Sequence, residues 1–152
     1  YVIPNQKKRP SAWRKGTKKS GLSQVIGQIK SIVSEKCRSW HIGLDDMRRD
    51  GECLTIYGHT KGLTSVCPCC GKRTSSVHSY RLRKIQCTEW LGHHAMLILQ
   101  TRHFACASPD CERKIFSEPL MMTHPYGRHT YEVEDRIRHE ALEQTARKAS
   151  ET

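Results

Sequence analysis

The sequence predicts a small α+β fold, and three observations carry that reading. Cysteines gather in two short clusters, Cys67-Pro-Cys-Cys70-Gly and Cys106-Ala-Ser-Pro-Asp-Cys111, at spacings that suit a thiolate-bound metal. The segments before and between them alternate apolar with polar residues, the period of a strand. Near each end the period changes to three or four residues, the mark of a helix, and the first twenty residues carry almost nothing apolar. The expected architecture is zinc-ribbon β-hairpins with a basic, disordered N-terminal arm and a C-terminal helix.

Each element has its own warrant. Residues 1–20 hold Pro4, Pro10, Gly16 and seven Lys/Arg, too little apolar surface to offset the entropy of ordering. Val25, Ile26, Ile29, Ile32 and Val33 follow at helical spacing, so a short helix is expected over 22–35, weakened at Gly27 by about 1 kcal/mol relative to alanine. From Ser39, Trp40, Ile42 and Leu44 alternate with His41 and Gly43 as a strand. Asp50-Gly51 marks a turn, and Cys53 to Tyr57 reads as the returning strand. Val77 to Ile85 and Ala95 to Phe104, separated by a turn at Gly92, form a predicted hairpin; Arg113 to Phe116 is a short last strand. Val133, Ile137, Ala141, Ala146 and Ala149 then place a helix over 131–149, with Thr130 as N-cap and Glu132, Glu134 and Asp135 in its first turn. Its apolar face is narrow and needs a partner. The expected division is a basic arm over 1–36, a zinc-ribbon β domain over 37–120, and a linker and helix over 121–152.

Composition bounds the function. The chain has 152 residues, 36% hydrophobic, with a formal net charge of +11 and a mean hydropathy of −0.67. No run approaches the ~18 apolar residues of a membrane span, and the apolar mass is thin for a large single-core enzyme. Residues 1–36 hold nine Lys/Arg and one acid, residues 37–120 hold twelve and eight, and residues 121–152 hold five and six. The excess charge therefore sits in the arm, which suits a polyanion because each neutralised phosphate releases counterions. Tyr1-Val2-Ile3-Pro4 runs straight into Lys7-Lys8-Arg9, unlike a secretory signal. A reducing, cytoplasmic compartment is expected, nucleoid-associated in a bacterium. A first residue that is Tyr and not Met fits a fragment of a longer protein.

Cys67, Cys70, Cys106 and Cys111 supply four thiolates, and the hairpin over 77–104 brings their two loops together. Four soft donors close a tetrahedral shell around one Zn²⁺, which makes the metal structural and leaves no open position for catalysis. Zinc would also compensate for the thin core, because site formation and folding are coupled. Cys69 could replace Cys67 only at a strained spacing. Cys37, Cys53 and Cys87 lack partners at ligand spacing and read as small core residues. His78 and His103 lie near the knuckles as lesser candidates; His93-His94 reads as a solvated turn.

These motifs resemble the N-terminal zinc-binding region of transposases of the insertion-sequence L-three family. There a CPxCG knuckle precedes a V-H-S-x-Y-x-R-like strand, here Cys67-Pro-Cys-Cys-Gly71 and Val77-His-Ser-Tyr80-Arg-Leu-Arg83. A hydrophobic strand then leads to a C-x-N-P-x-C-type knuckle, here Leu97 to Phe104 and Cys106 to Cys111. An R-x-x-F-x-E segment is matched by Arg113-Lys-Ile-Phe116-Ser-Glu118. A P-Y-x-R-x-T-like stretch entering a helix-turn-helix is matched by Pro125-Tyr-Gly-Arg-His-Thr130. The resemblance covers about residues 40–150 and implies binding to a mobile element's inverted repeats. The family's RNase-H-like catalytic domain would lie outside this chain, and residues 1–36 are not part of the pattern.

No catalytic residue is assigned. The acids lie on turns or an exposed helix face, and no phosphate loop, nucleophile elbow or metalloprotease motif occurs. The expected partner is nucleic acid, duplex DNA before RNA, with no membrane partner; a homodimer or larger nucleoprotein assembly is compatible. Candidate contacts are Lys7, Lys8, Arg9, Arg14, Lys15, Lys18 and Lys19 in the arm, and Arg81, Arg83, Lys84, Arg102, Arg113 and Lys114 on the ribbon. The competing readings are a structural zinc ribbon bound to RNA in a ribonucleoprotein particle such as the ribosome, and a protein-interaction adaptor. The charge of the arm argues against the adaptor.

Overall fold

A computed structural model describes residues 24–151. The arm residues Lys7, Lys8, Arg9, Arg14, Lys15, Lys18 and Lys19, and the disorder expected there, lie outside the described residues. The chain runs α1 (Gln24–Ser39), β1 (Ile42–Asp50), β2 (Cys53–Thr60), β3 (Ser65–Val66), β4 (Arg73–Thr74), β5 (Val77–Gln86), β6 (His94–Ala105), β7 (Ile115–Ser117) and α2 (Tyr131–Ser150).

In α1, Ile29, Val33 and Cys37 recur every four residues and all three are buried, so one stripe of the helix faces the sheet. Lys36 and Arg38 in its last turn complement the negative end of the helix dipole. The helix stops at His41, whose φ of 55° takes the left-handed conformation a helix terminus favours. Trp40 belongs to this ending and not to a strand: its N–H donates to the Lys36 carbonyl at 3.0 Å, and its ring stands 6.2 Å from that of Trp90. The helix thus starts inside the stretch assigned to the arm, runs four residues past 35, and belongs to the folded core.

The main sheet has the order β1-β2-β6-β5, with β7 also on β6. The β1–β2 hairpin turns at Gly51 (φ 59°), and β5 and β6 form the expected antiparallel pair, from Val77 opposite Phe104 to Gln86 opposite Met96. The unforeseen contact is parallel. β2 lies along β6, with Leu54 opposite Ala95 and Ile56 opposite Leu97. Where β2 ends, β7 takes over the same edge, with Phe116 opposite Phe104. β3 and β4 make a separate small hairpin.

Successive strand residues face opposite sides of a sheet, and β6 uses both. Ala95, Leu97 and Leu99 face α1 and pack with Ile42, Leu54, Ile56, Ile85 and Trp90. Each fully buried aliphatic side chain of this core contributes about 1.5–3 kcal/mol. Further along, Arg102 and Phe104 are buried on the opposite side, where Phe104 joins Phe116, Cys67 and Cys111 in a second, smaller core.

α2 begins as expected, with Val133 N–H donating to the Thr130 hydroxyl at 3.4 Å. Its base is tied down. Thr130 N–H donates to the Gln86 carbonyl, Tyr131 N–H to the Met122 carbonyl, and Lys36 pairs with Glu132 at 2.6 Å. Past the first turn its side chains are exposed, Ile137 and Leu142 among them, so the narrow apolar face is uncovered in the described structure. Among the described residues no helix is long and apolar enough to cross a membrane.

Candidate metal centre and basic groove

Two loops deliver the four thiols. The first closes the β3–β4 hairpin: Cys67 N–H donates to the Lys72 carbonyl at 3.0 Å, and Gly71 N–H returns to the Cys67 carbonyl at 2.9 Å. Gly71 has a φ of 74°, a conformation that a side chain would strain. The second loop joins β6 to β7, where Cys106 N–H donates to the Lys114 carbonyl at 2.8 Å and Ser108 N–H reaches the Cys106 sulfur at 3.4 Å.

The sulfurs of Cys67, Cys70, Cys106 and Cys111 lie within 4.8 Å of one another. Cys67 and Cys111 are 3.8 Å apart, Cys70 and Cys106 3.5 Å. Four sulfurs at ~2.3 Å from one ion stand about 3.8 Å apart at tetrahedral angles, so the spacing fits Zn²⁺ before any ion is placed. The thiols are also unequal. The backbone N–H of Cys70, helped by that of Cys69, draws the Cys67 thiol down to about 7 against its burial. At Cys111 the Arg113 N–H pulls downward, but burial and the neighbouring thiols of Cys106, Cys67 and Cys69 push it up to about 12. Cys67 gives up its proton readily while Cys106 and Cys111 resist, because adjacent negative charges need a cation among them. These four residues would hold one structural Zn²⁺, which would supply a closed shell and cross-link the two loops.

Among the described residues this is the single group of three or more His, Cys, Asp or Glu side chains placed to hold a metal. Cys69 is exposed and outside it; His78 and His103 are outside it too, each bonded to a serine hydroxyl, Ser79 and Ser117. Cys37 and Cys87 are core residues, their thiols pushed by burial up to about 11 and about 12. Cys53, expected in the core, is exposed at the start of β2.

Beside the metal centre lies a groove of about 930 Å³, floored by β5 and β6 and walled by residues 116–128. Arg81, Arg83, Lys84 and Arg113, singled out by sequence, line it together with His103. Arg81 lies opposite Thr101 and Arg83 opposite Leu99, which puts both arginines on one face of the sheet. Arg83 reaches across to the carbonyls of Gly127 (2.7 Å) and His124 (3.3 Å), so it braces the wall. Burial, then the charges of Arg81 and His78, lower the His103 imidazole below its ordinary value.

Two other ribbon cations are placed differently from the sequence expectation. Arg102 is only 5% exposed. Its guanidinium donates to Glu118 at 2.7 Å and to the carbonyls of Gly62 and Lys61 at 2.6 and 3.1 Å, and stacks over Phe104. It holds the small core together and is too deeply buried to meet a ligand. Burial raises the Glu118 carboxyl, against the Thr60 hydroxyl and Arg102, which lower it. Lys114 is exposed but donates to the Pro109 carbonyl at 3.1 Å, within the second cysteine loop. Sequence reasoning missed Arg128, Tyr126 and Tyr131, which also line the groove; the signal was present in the Pro125-Tyr-Gly-Arg stretch.

A hairpin loop and a strand-end loop that clasp one tetrahedron of thiols define a zinc ribbon. Residues 64–111 match the family model of the zinc-finger of transposase IS204/IS1001/IS1096/IS1165, a segment that spans β3 to β6 and both cysteine loops. No curated protein and no solved structure matches the chain.

Proposed function

We propose that this chain is a zinc-dependent nucleic-acid-binding module, the DNA-binding part of a transposase or transposase-derived protein that recognises element ends in the cytoplasm. The observation that carries the reading is the groove. Arg81, Arg83, Lys84, Arg113 and Arg128, distant in sequence, gather around one concavity next to the metal centre. Clustered cations of this kind meet phosphates and position the protein on a duplex. The arm cations would add affinity with little specificity. On this reading the arm, the ribbon and the linker and helix over 121–152 act as three parts of one DNA-binding unit, and chemistry on DNA would belong to a catalytic domain outside this chain.

The test is a salt-dependent titration of the zinc-loaded chain against duplex DNA and folded RNA. Duplex DNA should win, and Arg81→Ala with Arg113→Ala should reduce the slope of log affinity against log salt by about two, one per lost phosphate contact. Preference for RNA, or an unchanged slope, would transfer the ribbon to the ribonucleoprotein reading.

A further inference from the structure

The wall of the groove contains a residue that the fold does not need. His124 to Gly127 form a tight turn closed by Gly127 N–H to the His124 carbonyl at 2.9 Å. Pro125 sits at its second position, where proline is favoured. The third position is Tyr126, with a φ of 61°. Glycine or asparagine ordinarily occupies that place, because a side chain there is strained, and for a bulky residue this backbone conformation is a true outlier. Nothing in the core repays the strain, since Tyr126 is 81% exposed.

The position after Tyr126 admits no side chain: a Cβ on Gly127 would meet the Thr123 hydroxyl at 2.3 Å, and that hydroxyl is committed to the His129 carbonyl at 2.7 Å. Arg83 pins both the His124 and the Gly127 carbonyls. A strained aromatic ring is thus held out toward solvent on a braced turn, above a basic groove. Backbone strain retained at an exposed site points to function.

Resting on the nucleic-acid reading above, we propose that Tyr126 stacks on an unpaired base, while Arg81 and Arg128 hold the phosphates that flank it. The groove has the volume of a small-ligand site and admits a nucleotide or two of single strand, whereas a duplex would lie across its mouth. Stacking on an aromatic ring is indifferent to base identity and needs a free base face, which paired bases lack. The preferred ligand is therefore DNA whose duplex ends in a single-stranded overhang or contains an extruded base.

The experiment compares the full zinc-loaded chain with Tyr126→Gly and Tyr126→Trp on two DNAs, a blunt duplex and the same duplex with a short overhang carrying a fluorescent base analogue. The parent should prefer the overhang and quench the analogue. Tyr126→Gly should melt no lower than the parent and lose about tenfold in affinity for the overhang relative to the blunt duplex; Tyr126→Trp should retain the preference. Equal binding of the overhang by parent and Tyr126→Gly would overturn the stacking role while leaving duplex binding intact. Failure of the parent to bind either DNA would remove the nucleic-acid reading itself, and this inference with it.

Discussion

The two faces of β6 are held together by different physics. On the α1 side, Leu97 and Leu99 lie in a continuous apolar core built from one helix and four strands. On the other side, Phe104 has Phe116, stacked at 5.9 Å, and little else that is apolar. The rest of that region is thiols and one buried ion pair, Arg102 with Glu118. The larger region rests on area removed from water. The smaller one has too little such area and relies on a metal clasp. The groove cations divide between the two: Arg113 follows the second cysteine loop, whereas Arg81 and Arg83 share the face of Leu99, beyond the end of the apolar core.

The comparison can be broken from the metal side first. Zinc chelation, or Cys106→Ser, should strip the smaller region of its clasp, a loss on the scale of the ~10–16 kcal/mol that zinc contributes to isolated fingers. Hydrogen exchange should show the amides of β3, β4 and β7 losing protection while those of α1, β1 and β2 keep theirs. Uniform loss would mean that the two regions fold as one unit. A cavity on the other face should act in reverse. Leu97→Ala should cost about 2–5 kcal/mol and leave one zinc bound per chain, as read by denaturant unfolding and metal analysis. The smallest effect concerns the join to α2. Lys36→Ala removes its exposed pair with Glu132 and should change stability by less than about 1 kcal/mol. A larger drop would show that this contact fixes where α2 points.

How much of this was legible follows from the range of each signal. The four thiol ligands, the β5–β6 hairpin and the Thr130 cap are written in residues close in sequence or in side chains of unmistakable chemistry, and the structure places each as expected. The parallel pairing of β2 with β6 joins residues about forty apart, and an alternating strand pattern does not name its partner. Arg102 misled because alternation says which face a residue occupies and not whether that face is covered. Here β7 and residues 61–62 cover it, and Glu118 waits sixteen residues downstream. The strain at Tyr126 was hidden for a related reason: residue types alone do not say which residue of Pro125-Tyr-Gly takes a positive φ, and the structure gives that conformation to the tyrosine.

The parallel contact between β2 and β6 also sets an order of events during synthesis. When β2 leaves the ribosome, its outer edge has hydrogen-bonding groups and no neighbour. Its partner begins at His94, opposite Cys53. At ~5–20 residues per second, the nascent chain waits about 2–8 s with that edge open. Cys106 and Cys111 emerge later still, so complete capture of the metal comes after the sheet has its central strand. The four-thiolate shell is therefore the last part of the 64–111 ribbon to become available for closure.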